Sequence, residues 1–506
     1  MYINYRLLSY ILISIIALYF IFAPAIHALY YAEDDFRYTF GAMQSCRNGD
    51  GFGFMSNAGR PLQAYMSCLN FKFAYTLERM SVVRFTAVTL MGIGMGLLAD
   101  WLCSLGFSLG SAFFTAGLFF MIQRLYGDTV LTGATSLPFA VLFSIIGYWY
   151  ADKNRWLLAA IFILCALLTY PAMTFFYGSL LLLKIAFSPL SAWYTTRKTL
   201  LKELGLFIGI CIIYFIWAHF SSNPSRLPEQ YRIEPNINLL EIGARLLPLM
   251  NFFDAGPWKW PLTQPLWQGW IVIVLLIGGL LSGAIHFICQ HNDKDKHVSI
   301  NCLIQIIFMF LIIFILCSGF YLIIPGRENM GSRLLFATVA SGFPVIVWCI
   351  YQISAFFSLP LRSRIILFGT GLLFFTAAYK ANLVTTIDAL NYAQYMDKVK
   401  NSLESYLHTG NRFKHIHYIV PEPGYPYNKF FLTHAVLQRV PSLQHYMLVW
   451  CSSTQDRHTI IQCLQAISKD SIAVTYSRPA DAFVKTSSML ILQNYSTSAG
   501  KLFGND

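Results

Sequence analysis

Three adjacent carboxylates are the densest chemical feature of the chain. They lie in Tyr30-Tyr31-Ala32-Glu33-Asp34-Asp35-Phe36-Arg37, directly after the first long hydrophobic stretch. Acids crowded at a low-dielectric boundary repel one another, which favours a retained proton on at least one of them. A carboxylate in that position can deprotonate a hydroxyl nucleophile or hold a divalent cation such as Mg2+ or Mn2+. The same residues also suit a solvated loop that ends a helix, and local chemistry alone does not separate the two readings. Arginines accompany the acids. Arg37 follows Asp35 by two residues, Arg60 stands in Gly59-Arg60-Pro61, and Arg327 and Arg333 bracket Gly326-Arg327-Glu328-Asn329-Met330-Gly331-Ser332-Arg333. A guanidinium keeps its charge at an interface and matches phosphate with two parallel hydrogen bonds. Several at one membrane face could clamp a phospholipid-type donor. The alternative for each is generic contact with lipid headgroups.

The elements that must position these groups are apolar. Of 506 residues, 56% are hydrophobic and 12% charged, against about 25% charged in soluble domains. A spanning helix needs about 20 apolar residues. Eleven stretches qualify as spans: 8–29, 82–103, 106–122, 134–150, 156–170, 172–188, 204–220, 268–289, 299–323, 334–354 and 363–381, with 106–122 and the pair around Pro171 short. The end of the first, Ala23-Pro24-Ala25-Ile26-His27-Ala28, resembles a signal-peptidase site, but the stretch is long enough to span as it stands.

Lys and Arg in the short loops set the orientation. With Arg6 in the cytoplasm, Lys153, Arg155, Arg197, Lys198, Lys202, Lys294, Lys296, Arg362 and Arg364 all fall inside. Segments 30–81, 221–267 and 382–506 then lie outside. The net charge of +12 is read as inner-loop Lys and Arg and anionic-lipid or phosphate sites, not nucleic-acid binding. Charges at Arg84, Asp100 and Lys184 fall near predicted span ends, where snorkelling to the interface suffices. Mid-membrane carboxylates of the kind a coupled transporter uses are not expected.

Outside the membrane, residues 41–60 read as a turn-rich loop with Gly41, Gly49, Gly51 and Gly53. Residues 61–80 read as an amphipathic helix along the membrane surface, with Leu62, Tyr65, Met66, Leu69 and Phe73 on one face. Trp258, Trp260, Trp267 and Trp270 read as an interfacial belt, with sugar stacking the sharper alternative. Cys46 with Cys68, and Cys451 with Cys463, are candidate disulfides in an oxidising compartment, with free thiols the alternative. Residues 382–506 carry β-like runs at 417–420, 446–450, 471–476 and 488–493. Helical patterns at 385–407, 427–439 and 456–467 accompany them, an order that suggests a small α/β domain. No nucleotide fingerprint accompanies them.

This layout resembles the GT-C glycosyltransferases: a first helix, an exported acidic loop, a helix along the membrane, many further spans and an outer C-terminal domain. More closely, Glu33-Asp34-Asp35-Phe36-Arg37, then Gly41 and Gly59-Arg60-Pro61-Leu62, looks like the phage-encoded serotype-converting glucosyltransferases that modify bacterial O-antigen. The motif covers about residues 30–62. The resemblance implies an all-α polytopic fold over 1–381, with a periplasmic α/β domain over 382–506, in a bacterial inner membrane. It implies a polyprenyl-phosphate-glucose donor and a lipid-linked O-antigen acceptor. Asp34 or Asp35 would be the general base or help bind a cation. Glu33, where the family often carries an amide-type residue, would be an auxiliary carboxylate. Arg37 and Arg60 would hold donor phosphate, with Arg327 and Arg333 as further phosphate contacts. The alternatives are a lipid-donor glycosyltransferase for another sugar, or a lipid or polysaccharide flippase.

Overall fold

The computed structural model describes residues 5–30, 32, 50–74, 77–189, 192–221, 274, 276–283, 296–323, 335–407, 415–420, 447–452, 471–477 and 489–493. The described helices are α1 (Tyr5–His27), α2 (Asp50–Asn57), α3 (Pro61–Phe73), α4 (Leu77–Ser104), α5 (Leu109–Phe120), α6 (Gln123–Leu131) and α7 (Ser136–Asp152). They continue with α8 (Trp156–Thr169), α9 (Pro171–Thr174), α10 (Phe176–Phe187), α11 (Trp193–Ser221), α12 (Lys296–Ile323), α13 (Phe336–Ser354) and α14 (Leu359–Leu407). Among the described residues, six helical segments are long and apolar enough to cross a membrane: Tyr5–His27, Glu78–Ser104, Trp193–Ser221, Ile300–Gly319, Phe336–Ser354 and Leu359–Gln394. Shorter apolar helices run over Leu109–Phe120, Trp156–Thr169 and Pro171–Phe187. By length and composition this is a multi-pass, helical membrane protein.

Lipid does not drive two apolar helices together, so close packing has to. The pair α1 and α4 achieves it with glycine. A Cβ built at Gly92 would lie 2.8 Å from Ile15 Cα, and one at Gly96 would lie 2.6 Å from Ile11 Cα. Four-residue spacing puts both glycines on one face of α4, so the backbone of α1 lies directly on it. Replacing Gly96 by Ala is expected to force the helices apart and cost about 1–3 kcal/mol, as overpacking does. Thermal unfolding of the purified protein in detergent measures this, and an unchanged midpoint would contradict the close approach.

Charged side chains fasten one end of the bundle. Arg6 Nε lies 2.7 Å from Asp100 Oδ1, joining α1 to α4. Lys184 Nζ lies 2.6 Å from Asp152 Oδ1 and 2.7 Å from Glu203 Oε1, joining α10, α7 and α11. The expectation of snorkelling is therefore corrected: Asp100 and Lys184 are satisfied by partners inside the protein. Glu203 is fully buried within α11, because that helix begins eleven residues before the predicted span. Buried charge is thus present at this end of the bundle, held by pairing.

Two further boundaries differ from expectation. Residues 50–57 form a helix within the predicted loop. Its glycines weaken it, but Gly59 at φ +76° closes it. Gly59 N–H donates to Ser56 O at 3.0 Å and Arg60 N–H to Met55 O at 2.9 Å, the bond pair of a Schellman cap. At the other end of the chain, α14 continues through residues 381 and 382 as one helix of 49 residues. No Gly or Pro occurs between Leu372 and Leu407 to stop it.

Beyond α14, β1 (His415–Val420), β2 (Met447–Ser452), β3 (Ser471–Ser477) and β4 (Met489–Gln493) form a parallel sheet of order β2-β1-β3-β4. Ile416 pairs with Leu448 and Ile472, and Val474 with Leu490. These strands start and end within two residues of the four β-like runs of the sequence.

Candidate functional site

The acids of interest begin three residues after Tyr30, and the structure defines how the chain is held up to that point. Arg84, on α4, is fully buried and reaches the end of α1. Its Nη2 donates to Tyr30 O at 2.7 Å, its Nη1 to Ala28 O at 3.3 Å and its Nε to Leu131 O at 3.3 Å. The guanidinium carbon lies 3.6 Å from the centroid of the Tyr30 ring. The other side of Tyr30 is covered by α14, where the Tyr392 ring stacks at 5.7 Å with 10° between planes. Asn382 Nδ2, one helix face away, donates to Ile21 O at 2.6 Å. Both Tyr30 and Ala32 are buried. The neck leading to Glu33 is therefore clamped, with one cation satisfying carbonyls that no helix can satisfy.

Burial of an arginine is costly in a membrane and is retained where it organises something. Here the organised element is the chain just before the acidic triplet. Sequence reasoning placed Arg84 at a span end and missed this role. The available signal was an arginine four residues after Met80 in an otherwise apolar helical pattern.

Arg60 is set by a second group of contacts. It is the residue preceding Pro61, which opens α3. Tyr214 on α11 donates its hydroxyl to Gly59 O at 2.9 Å. The Arg60 guanidinium carbon lies 5.3 Å from the centroid of the Tyr170 ring. Tyr170 sits at the break between α8 and α9, where Pro171 removes an amide donor. Arg60 is thus set against the Tyr170 ring, next to a Gly59 carbonyl that Tyr214 of α11 holds.

The two groups meet at the turn after α6. Leu131 accepts from Arg84, and four residues later Thr135 Oγ1 accepts a hydrogen bond from Asn70 Nδ2 on α3. A small polar cavity of about 20 Å³ lies between α3 and this turn, lined by Gln63, Ser67, Asn70, Thr132, Thr135 and Ser136 among others. Gln63 is buried and its Oε1 has no hydrogen-bond partner. The space suits about one water molecule, which the polar lining can hold.

Helix α3 carries its bulky apolar side chains outward, in the sense expected of a helix along the membrane surface. Gln63, Ser67, Cys68 and Phe71 face the protein, while Tyr65, Leu69 and Phe73 are exposed. The predicted apolar face is therefore the outward one. That arrangement fits a helix whose bulky side chains meet lipid and whose small polar ones meet protein. Cys68 is disulfide-bonded; Cys46, the expected partner, lies outside the described residues.

Comparison with protein-family models and with curated proteins gives no match to this chain. Its chemistry must therefore be read from its own residues. Of the predicted site residues, Arg60 is described, while Glu33, Asp34, Asp35, Arg37, Arg327 and Arg333 lie outside the described residues, as do Trp258, Trp260, Trp267 and Trp270. Among the described residues no cluster of His, Cys, Asp or Glu could hold a metal ion. The described frame supplies a fixed neck before the acids, an arginine set against the Tyr170 ring and a polar niche, all gathered around residues 131–136.

Proposed function

We propose that this protein is a membrane glucosyltransferase that takes glucose from a polyprenyl-phosphate carrier and joins it to a sugar hydroxyl of lipid-linked O-antigen. The observation that carries the reading is the Arg84 clamp: a fully buried guanidinium fixes Ala28 and Tyr30 immediately before Glu33-Asp34-Asp35. A solvated loop needs no such anchor. A general base does, because proton transfer depends on a held geometry.

In the proposed reaction the acceptor hydroxyl oxygen attacks C1 of the donor glucose. The bond between C1 and the phosphate oxygen breaks, and its electron pair leaves with polyprenyl phosphate. Asp34 or Asp35 takes the hydroxyl proton, and Glu33 supports the charge of the pair. Arg37 and Arg60 stabilise the charge gathering on the leaving phosphate, with Arg327 and Arg333 as further contacts. Mg2+ or Mn2+ at the acids belongs to the same proposal.

A lipid-borne donor presents its phosphate at interface depth, so acids at the end of a spanning helix suit it. Lys153 and Arg155 lie between α7 and α8, and Arg197, Lys198, Arg362 and Arg364 lie in the first turns of α11 and α14, at the helix ends on the side of Arg6. That asymmetry supports a cytoplasmic N-terminus in a bacterial inner membrane. The disulfide at Cys68 supports an oxidising, periplasmic side for α3. Eleven spans, and a periplasmic α/β domain built on the β2-β1-β3-β4 sheet, complete the proposed architecture.

Expression in a host that carries unmodified O-antigen tests the reading. Mass spectrometry of the extracted polysaccharide should gain one glucose per repeat on some or all repeats, and only when the polyprenyl-phosphate-glucose supply is intact. Unmodified polysaccharide with that supply intact would oppose the proposal. Replacing Arg60 by Ala is expected to raise the KM for the lipid donor roughly tenfold or more, as loss of a charged hydrogen bond does. An unchanged KM would make Arg60 a structural residue.

A further inference from the structure

The strands that follow α14 form a wholly parallel sheet, and their order singles out one position. Strand β1 is central, with β2 on one side and β3 and then β4 on the other. The chain leaves β1 for β2, crosses back past β1, and continues outward through β3 and β4. In an open parallel sheet such a reversal leaves a crevice outside the carboxyl ends of the two strands that flank it, and ligands bind there. Here those strands are β1 and β3.

The register brings polar residues together at that edge. Val420 pairs with Ser452, Ile419 with Thr475, Tyr476 with Leu492 and Ser477 with Gln493. The carboxyl edge therefore gathers Ser452, Thr475, Tyr476, Ser477 and Gln493, four hydroxyls and one amide, each able to donate and to accept. Two residues back from the edge, Tyr418 pairs with Trp450, so two aromatic residues share one face of the sheet.

The same residues discriminate between ligand classes. None of the four strands contains Asp, Glu, Lys or Arg. A phosphate group needs amide donors in the turn after the first strand. The sequence there is Pro421-Glu422-Pro423-Gly424, in which two prolines lack the N–H and a carboxylate repels an anion. Glu422 and Arg478, the first charged residues after β1 and β3, lie outside the described residues. Neutral groups that both donate and accept, beside aromatic residues, match a sugar, whose hydroxyls do the same and whose C–H faces are apolar.

We propose that the carboxyl edge of this sheet, where β1 meets β3, binds a neutral saccharide chain. Helix α14 runs unbroken from Arg362 and Arg364, past Tyr392 beside Tyr30, to Leu407 shortly before β1. The sheet thus follows the end of α14 nearer Glu33-Asp34-Asp35. The inference stands on the sheet alone and holds whether or not those acids transfer glucose. A lipid-linked chain and a soluble oligosaccharide both offer the required chemistry.

Saturation-transfer NMR on the purified full-length protein, in a detergent without a sugar headgroup, tests the proposal. The probes are O-antigen oligosaccharide released from its lipid, maltohexaose, and ADP as the phosphate-bearing alternative. Saturation should reach at least one of the two saccharides and bypass ADP. Displacement of that saccharide by lipid-linked O-antigen would assign the site to a lipid-borne chain, and its persistence to a soluble one. Replacing Ser477 by Ala should weaken binding several-fold, and T475V, S477A and Q493A combined at least tenfold, with an unchanged unfolding midpoint. Ser471→Ala, at the amino end of β3, should leave binding as in wild type. Saturation of neither saccharide, preferential saturation of ADP, or wild-type binding in S477A and in the folded triple variant would overturn the proposal.

Discussion

Replacing Asp34 by Asn, and separately Asp35 by Asn, is expected to lower glucose transfer by about 10²–10⁴-fold for the acid that takes the hydroxyl proton. Asparagine keeps the size of the side chain but cannot accept the proton, and its NH2 donates where a carboxylate oxygen accepts. The neighbouring acid is expected to substitute poorly, because proton transfer depends on a held geometry. The change should fall on kcat, because the missing interaction is made in the transition state. Donor KM should move little, since phosphate is held by the arginines. Both variants should insert and accumulate normally, because the change keeps side-chain size and adds no charge next to a span. Rates with purified variants measure this, and full activity in both would remove the acids from the mechanism.

The second large effect is expected at Arg84. Its substitution by Ala leaves the carbonyls of Ala28, Tyr30 and Leu131 without their donor. Each unpaired buried carbonyl costs about 1–3 kcal/mol, so the variant loses roughly 3 kcal/mol or more. Substitution by Lys is the informative control. An ammonium keeps the charge but cannot span three carbonyls in a planar fork. R84K should therefore stay folded while losing transfer, with hydrogen exchange of Ala28–Ala32 accelerated over wild type. Wild-type exchange and wild-type rates in R84K would mean that Arg84 has no part in positioning the neck.

The long apolar helices were legible in the sequence because lipid imposes length and composition on them. The strands at Ser471–Ser477 and Met489–Gln493 were legible from their β-branched and apolar runs. The outward stripe of α3 was legible too. Periodicity gives a stripe through Tyr65, Leu69 and Phe73, and its exposure fits a helix that lies along the membrane. The clamp at Arg84 was not legible. A sequence shows a charge near a helix end, while only packing shows which carbonyls it reaches. The same limit hid Glu203, whose pairing with Lys184 joins helices that no local pattern connects. Gly92 and Gly96 carried a readable four-residue spacing, yet the partner surface at Ile11 and Ile15 emerges from the fold.

Transfer in a reconstituted system tests the central claim most directly. Purified protein in proteoliposomes is supplied with polyprenyl-phosphate glucose labelled in the sugar, together with a lipid-linked O-antigen acceptor, and the products are separated. The account predicts label in the acceptor with wild type, loss of label in at least one of D34N and D35N, and none with nucleotide-linked glucose. Labelled donor that crosses the bilayer while the acceptor stays unlabelled would contradict it and leave a lipid flippase in its place.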